Sequence, residues 1–139
     1  MDSYMKWILV LGAAVLLLCA AGCTQPSPEE AKTQFCTDMA DFETALEELQ
    51  SLNETANVGE VRAAEDNVTQ AWNNVKNSAQ TVGEVNTDQL EAAYNDLDKA
   101  VQDLPADITV QEAMQQLQPQ IDAVKQAWQQ VFSSANCGG

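Results

Sequence analysis

The chain contains no histidine, and only six of its 139 residues are basic, against 21 acidic ones. The first absence excludes the usual His-based triads, Glu-x-x-His di-iron sites and His-rich zinc sites. The second gives a surface that repels nucleic acid and anionic headgroups, so no nucleic-acid partner is expected. Glycine is scarce, and proline occurs only at positions 26, 28, 105 and 119. With Gln, Asn and Ala abundant, helix is expected nearly throughout and long disorder is not. Neither a Gly-rich phosphate loop nor a dinucleotide fingerprint occurs.

One apolar run stands out, fourteen residues from Ile8 to Ala21, closing at Ala20-Ala21-Gly22-Cys23. With Lys6 before it and small residues after it, the stretch 1–22 has the layout of an export signal. It is short for a permanent membrane helix, which needs about 20 apolar residues. Three fates fit it. In the first, Ala20, Ala21 and Gly22 form a lipobox before Cys23, although Ala20 stands where Leu is usual. Residues 1–22 are then removed and Cys23 carries the acyl chains that anchor the protein. The second fate is ordinary secretory cleavage after Ala21 or Gly22. The third is an uncleaved anchor, since Asp2 offsets Lys6.

Cysteine parity favours the first. Of four cysteines, Cys19 leaves with the signal and Cys23 is blocked by lipid. Cys36 and Cys137 then remain as an even pair in an oxidising compartment, and a disulfide between them is expected.

The remaining 23–139 is one domain's worth of sequence, a short tether over 23–27 followed by a helical bundle over 28–139. Ser27-Pro28-Glu29-Glu30 is a capping box with proline at the first helical position. It opens a helix over about 28–52 with the stripe Phe35, Met39, Phe42, Leu46, Leu49. Asn57-Val58-Gly59-Glu60 opens a second over 58–81, with the stripe Val61, Ala64, Val68, Trp72, Val75, Ala79. A third, over 88–104, carries Leu90, Ala93 or Tyr94, Leu97, Val101 and Leu104 and ends before Pro105. Thr109-Val110-Gln111-Glu112 opens a fourth over 110–134, with Val110, Met114, Leu117, Ile121, Val124, Trp128 and Val131. Pro119 lies inside it and is expected to kink or split it.

Stripe spacings near 3.5 predict left-handed packing of nearly antiparallel helices. The fold class is therefore all-α, an antiparallel up-down-up-down four-helix bundle. In that topology Cys36, two turns into the first helix, meets Cys137 just past the fourth. With three helices the two would stand about 30 Å apart. The bundle also reads as two repeated helical hairpins: Ala71–Gln80 matches Ala127–Asn136, with a thinner match of Phe42, Leu49, Gln50 and Leu52 to Tyr94, Val101, Gln102 and Leu104. Duplication and coincidence among Ala- and Gln-rich helices both remain open. The short tether would hold the bundle base within about 15 Å of the membrane. The disulfide and the 81–87 turn would share that base, with 51–57 and 105–109 at the far tip.

Candidate chemistry is sparse. The carboxylate pairs Glu47/Glu48, Glu65/Asp66 and Asp96/Asp98 are read as solvated helix faces rather than a glycosidase pair. Asp103 and Asp107 are read as solvated charge, not as a calcium site, since no twelve-residue EF-hand pattern surrounds them. Trp72, Tyr94 and Trp128 stand at core spacing and are read as packing rather than a ligand box. Asn53-Glu54-Thr55 and Asn67-Val68-Thr69 fit the glycosylation sequon, a short pattern that is frequent by chance. No metal site and no cofactor are expected.

The layout of signal, lipobox and Cys-bearing helical domain resembles the small helical lipoproteins of prokaryotes. That resemblance implies export, a lipid anchor at the outer face of a prokaryotic membrane (cell surface or periplasm), and no particular activity. The expected function is a non-catalytic, membrane-anchored binding or structural module of the cell envelope. Its partners would be the membrane, through lipid on Cys23, and an envelope component more cationic than anionic. The alternatives are an accessory ligand- or cation-binding lipoprotein for a transporter or receptor, and a carboxylate-based envelope hydrolase.

Overall fold

The computed structural model describes residues 25–138, so Ala20, Ala21, Gly22 and Cys23 lie outside the described residues. Four helices follow in order: α1 (Pro28–Gln50), α2 (Val58–Val82), α3 (Asp88–Gln102) and α4 (Val110–Ser134). They make up 77% of the described residues and pack as an all-α four-helix bundle. Packing is densest within the hairpins α1–α2 and α3–α4, while α1–α4 and α2–α3 close the ring. α1 and α3 do not touch, which puts them on one diagonal.

The helix starts are chemical. Ser27 Oγ accepts from the Glu30 N–H at 3.2 Å while Glu30 Oε2 accepts from the Ser27 N–H at 3.0 Å. Asn57 with Glu60 and Thr109 with Glu112 form the same reciprocal box. Each box satisfies two backbone donors that a helix start leaves free. α3 has no side-chain cap at Thr87; Asn86 Oδ1 instead accepts from the Asp88 N–H at 2.9 Å.

The ends are equally local. α2 stops at Gly83, whose φ of 77° is the left-handed conformation that glycine adopts without a Cβ penalty. α4 closes through Asn136 at φ 55°. The Asn136 N–H donates to the Ser133 carbonyl and the Cys137 N–H to the Phe132 carbonyl, both at 3.1 Å. That pair of bonds is a Schellman turn, and it carries Cys137 back toward α1.

Two helix ends are corrected. α1 ends at Gln50 rather than 52, because the chain turns at Asn53, whose carbonyl accepts from the Ala56 N–H at 2.8 Å. α3 ends at Gln102 rather than 104. Leu104 precedes Pro105, whose ring disfavours helical geometry in the residue before it. Leu104 nevertheless stays buried, and its carbonyl accepts from Arg62 Nη2 at 3.1 Å. Of the two outcomes expected at Pro119, a kink or a split, the split does not occur, and α4 runs unbroken from Val110 to Ser134. Pro119 and Gln115 are both exposed, so the carbonyl freed by the missing N–H lies on the solvent side, where water can satisfy it.

The core is the set of predicted stripes. Phe35, Met39, Phe42, Leu46 and Leu49 of α1 meet Val61, Val68, Trp72 and Val75 of α2, all buried. Leu90, Tyr94, Leu97 and Val101 of α3 meet Leu117, Ile121, Val124 and Val131 of α4. Ala64, Met114 and Trp128 pack against this core from its rim, each only partly buried.

Candidate functional site

The seam between α2 and α3 holds a cluster of three polar side chains, two of them buried, that links the two helices. Glu65 is buried, at 5% exposure, and not solvated beside Asp66 as its sequence context predicts. It occupies a core position because Val58, Val61, Glu65, Val68, Trp72 and Val75 alternate steps of three and four. That alternation keeps one face toward the neighbouring helices, whatever residue falls on it. Thr69 Oγ1 donates to Glu65 Oε1 at 3.0 Å. The same hydroxyl lies 2.7 Å from the Tyr94 hydroxyl of α3. With the Thr69 proton directed at the carboxylate, the Tyr94 proton is directed at Thr69.

Aromatic packing shapes the floor of this chain of hydrogen bonds. Trp72, one turn below Val68, stacks on Tyr94 with centroids 5.6 Å apart. It meets Phe42 of α1 on another side at 6.0 Å, tilted by 58°. The Lys76 ammonium lies 5.9 Å from the Trp72 ring centroid, within cation–π range. Burial pushes the Glu65 carboxyl above its ordinary value, and repulsion from Asp98 and Asp66 adds to the rise. The Thr69 hydrogen bond opposes it. Burial likewise raises the Tyr94 phenol. The arrangement can hold a proton on Glu65 and fix the α2–α3 spacing.

Asp38 is the other buried carboxylate. It accepts from Gln34 Nε2 at 3.0 Å and lines a shallow groove with Asn74, Asn77 and Ser78. Residues 74–78 stand about 14–20 Å along α2 from Glu65, from the 1.5 Å rise of a helix. A glycosidase needs its two carboxyls within roughly 5–9.5 Å. Asp38 and Glu65 therefore do not form such a pair.

The other predicted positions divide clearly. Cys36 and Cys137 come together, with sulfurs at bonding distance and Cα atoms 5.3 Å apart. Glu47, Glu48, Asp66 and Asp96 are exposed and Asp98 is half-buried. Asp103 pairs with Lys99 four residues earlier, and Asp107 is exposed. Among the described residues, no group of three or more His, Cys, Asp or Glu is placed to hold a metal ion. Asn53 lies in the exposed α1–α2 loop and Asn67 on the exposed face of α2.

The matched segments 71–80 and 127–136 occupy equivalent lower halves of α2 and α4, but their tryptophans differ. Trp72 is fully buried between Phe42 and Tyr94. Trp128 is half-buried and stacks on Phe132 at 4.5 Å. A strict twofold would give them the same neighbours.

Comparison with protein-family models, curated proteins and solved structures found no match. Among the described residues, no helix is long and apolar enough to cross a membrane.

Proposed function

We propose that this chain is a non-catalytic, membrane-anchored binding or structural module of the cell envelope. Lipid on Cys23 would hold it at the outer face of the membrane. The observation that carries the reading is the sorting of charge by helix. α1 exposes Glu29, Glu30, Asp41, Glu47 and Glu48, and α3 exposes Asp88, Glu91 and Asp96. α4 exposes fewer acids, Glu112 and Asp122, among the glutamines Gln111, Gln115, Gln118, Gln126 and Gln129. α2 exposes Glu60 and Asp66, and because α1 and α3 lie on one diagonal, the acid is concentrated on two opposite faces of the bundle. Such faces attract a cationic partner and set its approach.

Further support comes from the two ends of the molecule. The helix that follows the tether begins at Pro28, near the end where Cys36 meets Cys137. A covalent tie suits an oxidising compartment and braces the end nearest the anchor. The acidic faces run upward from there, clear of the membrane plane.

Photo-crosslinkers at Asp41, Asp96 and Gln118, introduced separately into the full chain in native membranes, test the proposal. Adducts from Asp41 and Asp96, weakened by added salt, are expected. Adducts from Gln118 alone would overturn the acidic-face reading. An unmodified N-terminus by intact-mass measurement would overturn the lipid anchor.

A further inference from the structure

We infer that Asn53 is the acceptor of an N-linked glycan and that Asn67, the other sequon asparagine, is not. The inference rests on the exported location proposed above, because the glycosyl donor faces that compartment. Transfer of a sugar to asparagine requires three things of the acceptor. The carboxamide nitrogen must be free, the hydroxyl two residues on must be available to the transferase, and the backbone between them must be open to it.

Asn53-Glu54-Thr55 meets all three. The segment lies in the loop between α1 and α2, and all three residues are exposed. The Ala56 N–H donates to the Asn53 carbonyl at 2.8 Å, and the Thr55 N–H donates to Asn53 Oδ1 at 3.3 Å. The asparagine oxygen is thus bound within the turn, while its Nδ2 has no protein partner among the described residues. The Thr55 hydroxyl likewise has none. α1 is 23 residues long, which sets this loop about 35 Å from the base of the bundle.

Asn67-Val68-Thr69 fails on two counts. It lies inside α2, where Val68 is fully buried and the backbone is committed to helical hydrogen bonds. Its Thr69 hydroxyl is already occupied, donating to Glu65 and lying 2.7 Å from the Tyr94 hydroxyl. Modification there would require α2 to unwind and the core seam to open.

The chemistry is a displacement. Asn53 Nδ2 attacks the anomeric carbon of a polyprenyl-phosphate-linked sugar, forming the C–N bond as the C–O bond to phosphate breaks. The polyprenyl phosphate leaves with the bonding pair, and the amide gives up one proton to a base of the transferase.

Glycopeptide mass spectrometry of the full chain from membranes of its native host tests this, together with N53Q and N67Q variants. A hexose-containing mass on the Asn53 peptide, lost in N53Q and kept in N67Q, is expected. Bare Asn53 on a chain that external protease can reach, or a glycan on Asn67, would overturn the assignment. A chain inaccessible to external protease would overturn the exported location and glycosylation in the cell with it. The acceptor geometry is then read separately, by incubating the purified full chain with an oligosaccharyltransferase and a lipid-linked donor. Modification of Asn53 in the folded chain, with Asn67 reacting only after denaturation, is expected. Failure at Asn53, or equal reaction at both sites in the folded chain, would overturn it.

Discussion

The Trp128 indole N–H donates to the main-chain carbonyl of Met39 across 2.7 Å of space and 89 residues of sequence. Met39 lies in α1 one turn beyond Cys36, and Trp128 precedes Cys137 by nine residues. The α1–α4 seam is therefore held twice, by sulfur at the base and by this hydrogen bond above it. α1 and α4 pack less closely than either hairpin does internally, so these two ties matter more than their number suggests.

Trp128→Phe should isolate the hydrogen bond, since a phenyl ring can keep the stacking on Phe132. A net loss of about 0.5–1.5 kcal/mol is expected, the usual range for one intramolecular hydrogen bond. Trp128→Ala should cost more, because it also removes aromatic packing from the rim of the core. Thermal unfolding monitored by far-UV circular dichroism checks both. If the two variants melt together, the hydrogen bond is not what the indole contributes.

The pairing of Cys36 with Cys137, 101 residues apart, gives a second test. Closing a loop of that length contributes up to about 4.7 kcal/mol in the chain-entropy model. Cys36→Ser and Cys137→Ser should each lower the melting temperature by similar amounts, and the double variant should match either single one. Additive losses would show that the two thiols act independently.

Most of this architecture was legible because helix starts and apolar stripes are local signals. Ser27/Glu30, Asn57/Glu60 and Thr109/Glu112 each announce a start through residues three apart, and all three boxes form. The exceptions lie where a long-range contact overrides residue type. On α2 the apolar Ala64 fits the expected stripe, but the stricter alternation of threes and fours falls on Glu65. That carboxylate tolerates burial because Thr69 and Tyr94 supply partners, and Tyr94 comes from a different helix 25 residues away. Nothing local foretells that partner. Asp38 follows the same logic, since Ala31, Phe35, Asp38, Phe42 and Ala45 form a second stripe on α1 beside the predicted one. The ends of α1 and α3 were overrun for a different reason: Leu52 and Leu104 extend the apolar period past the point where turn chemistry at Asn53 and Pro105 halts the helix.

The two left-handed residues should respond oppositely to substitution. Gly83→Ala places a Cβ at φ 77°, and a loss on the order of 1 kcal/mol is expected although no atom lies near the new methyl. Asn136→Gly, at φ 55°, should be neutral or slightly stabilising, because glycine adopts this conformation more readily than asparagine. Asn136→Ala should destabilise and, by straining the turn that delivers Cys137, slow reoxidation of the reduced chain. Chemical denaturation and thiol-trapping time courses measure these effects. A Gly83→Ala protein as stable as the parent would mean that the α2–α3 turn relaxes out of the left-handed geometry.

Glu65 makes the pH dependence specific. Its carboxyl stands above its ordinary value of 4.5, first through burial and then through repulsion from Asp98 of α3 and Asp66 of its own helix. Over the interval between the unfolded and folded values, the folded state holds a proton that the unfolded chain has released. The stability contributed by protonated Glu65 is thus fully present below the unfolded value and is lost as pH rises through the folded one. Glu65→Gln removes that titration while keeping an amide oxygen for the Thr69 hydroxyl. The variant should therefore be close to the parent in stability near pH 4 and more stable than it at pH 7–8, with the gap opening as pH rises. Comparing the two proteins across that range cancels the contributions of the many surface carboxylates, which they share. A gap that stays constant with pH, or a variant that loses stability at neutral pH, would show that ionised Glu65 is compensated in the α2–α3 seam rather than penalised there.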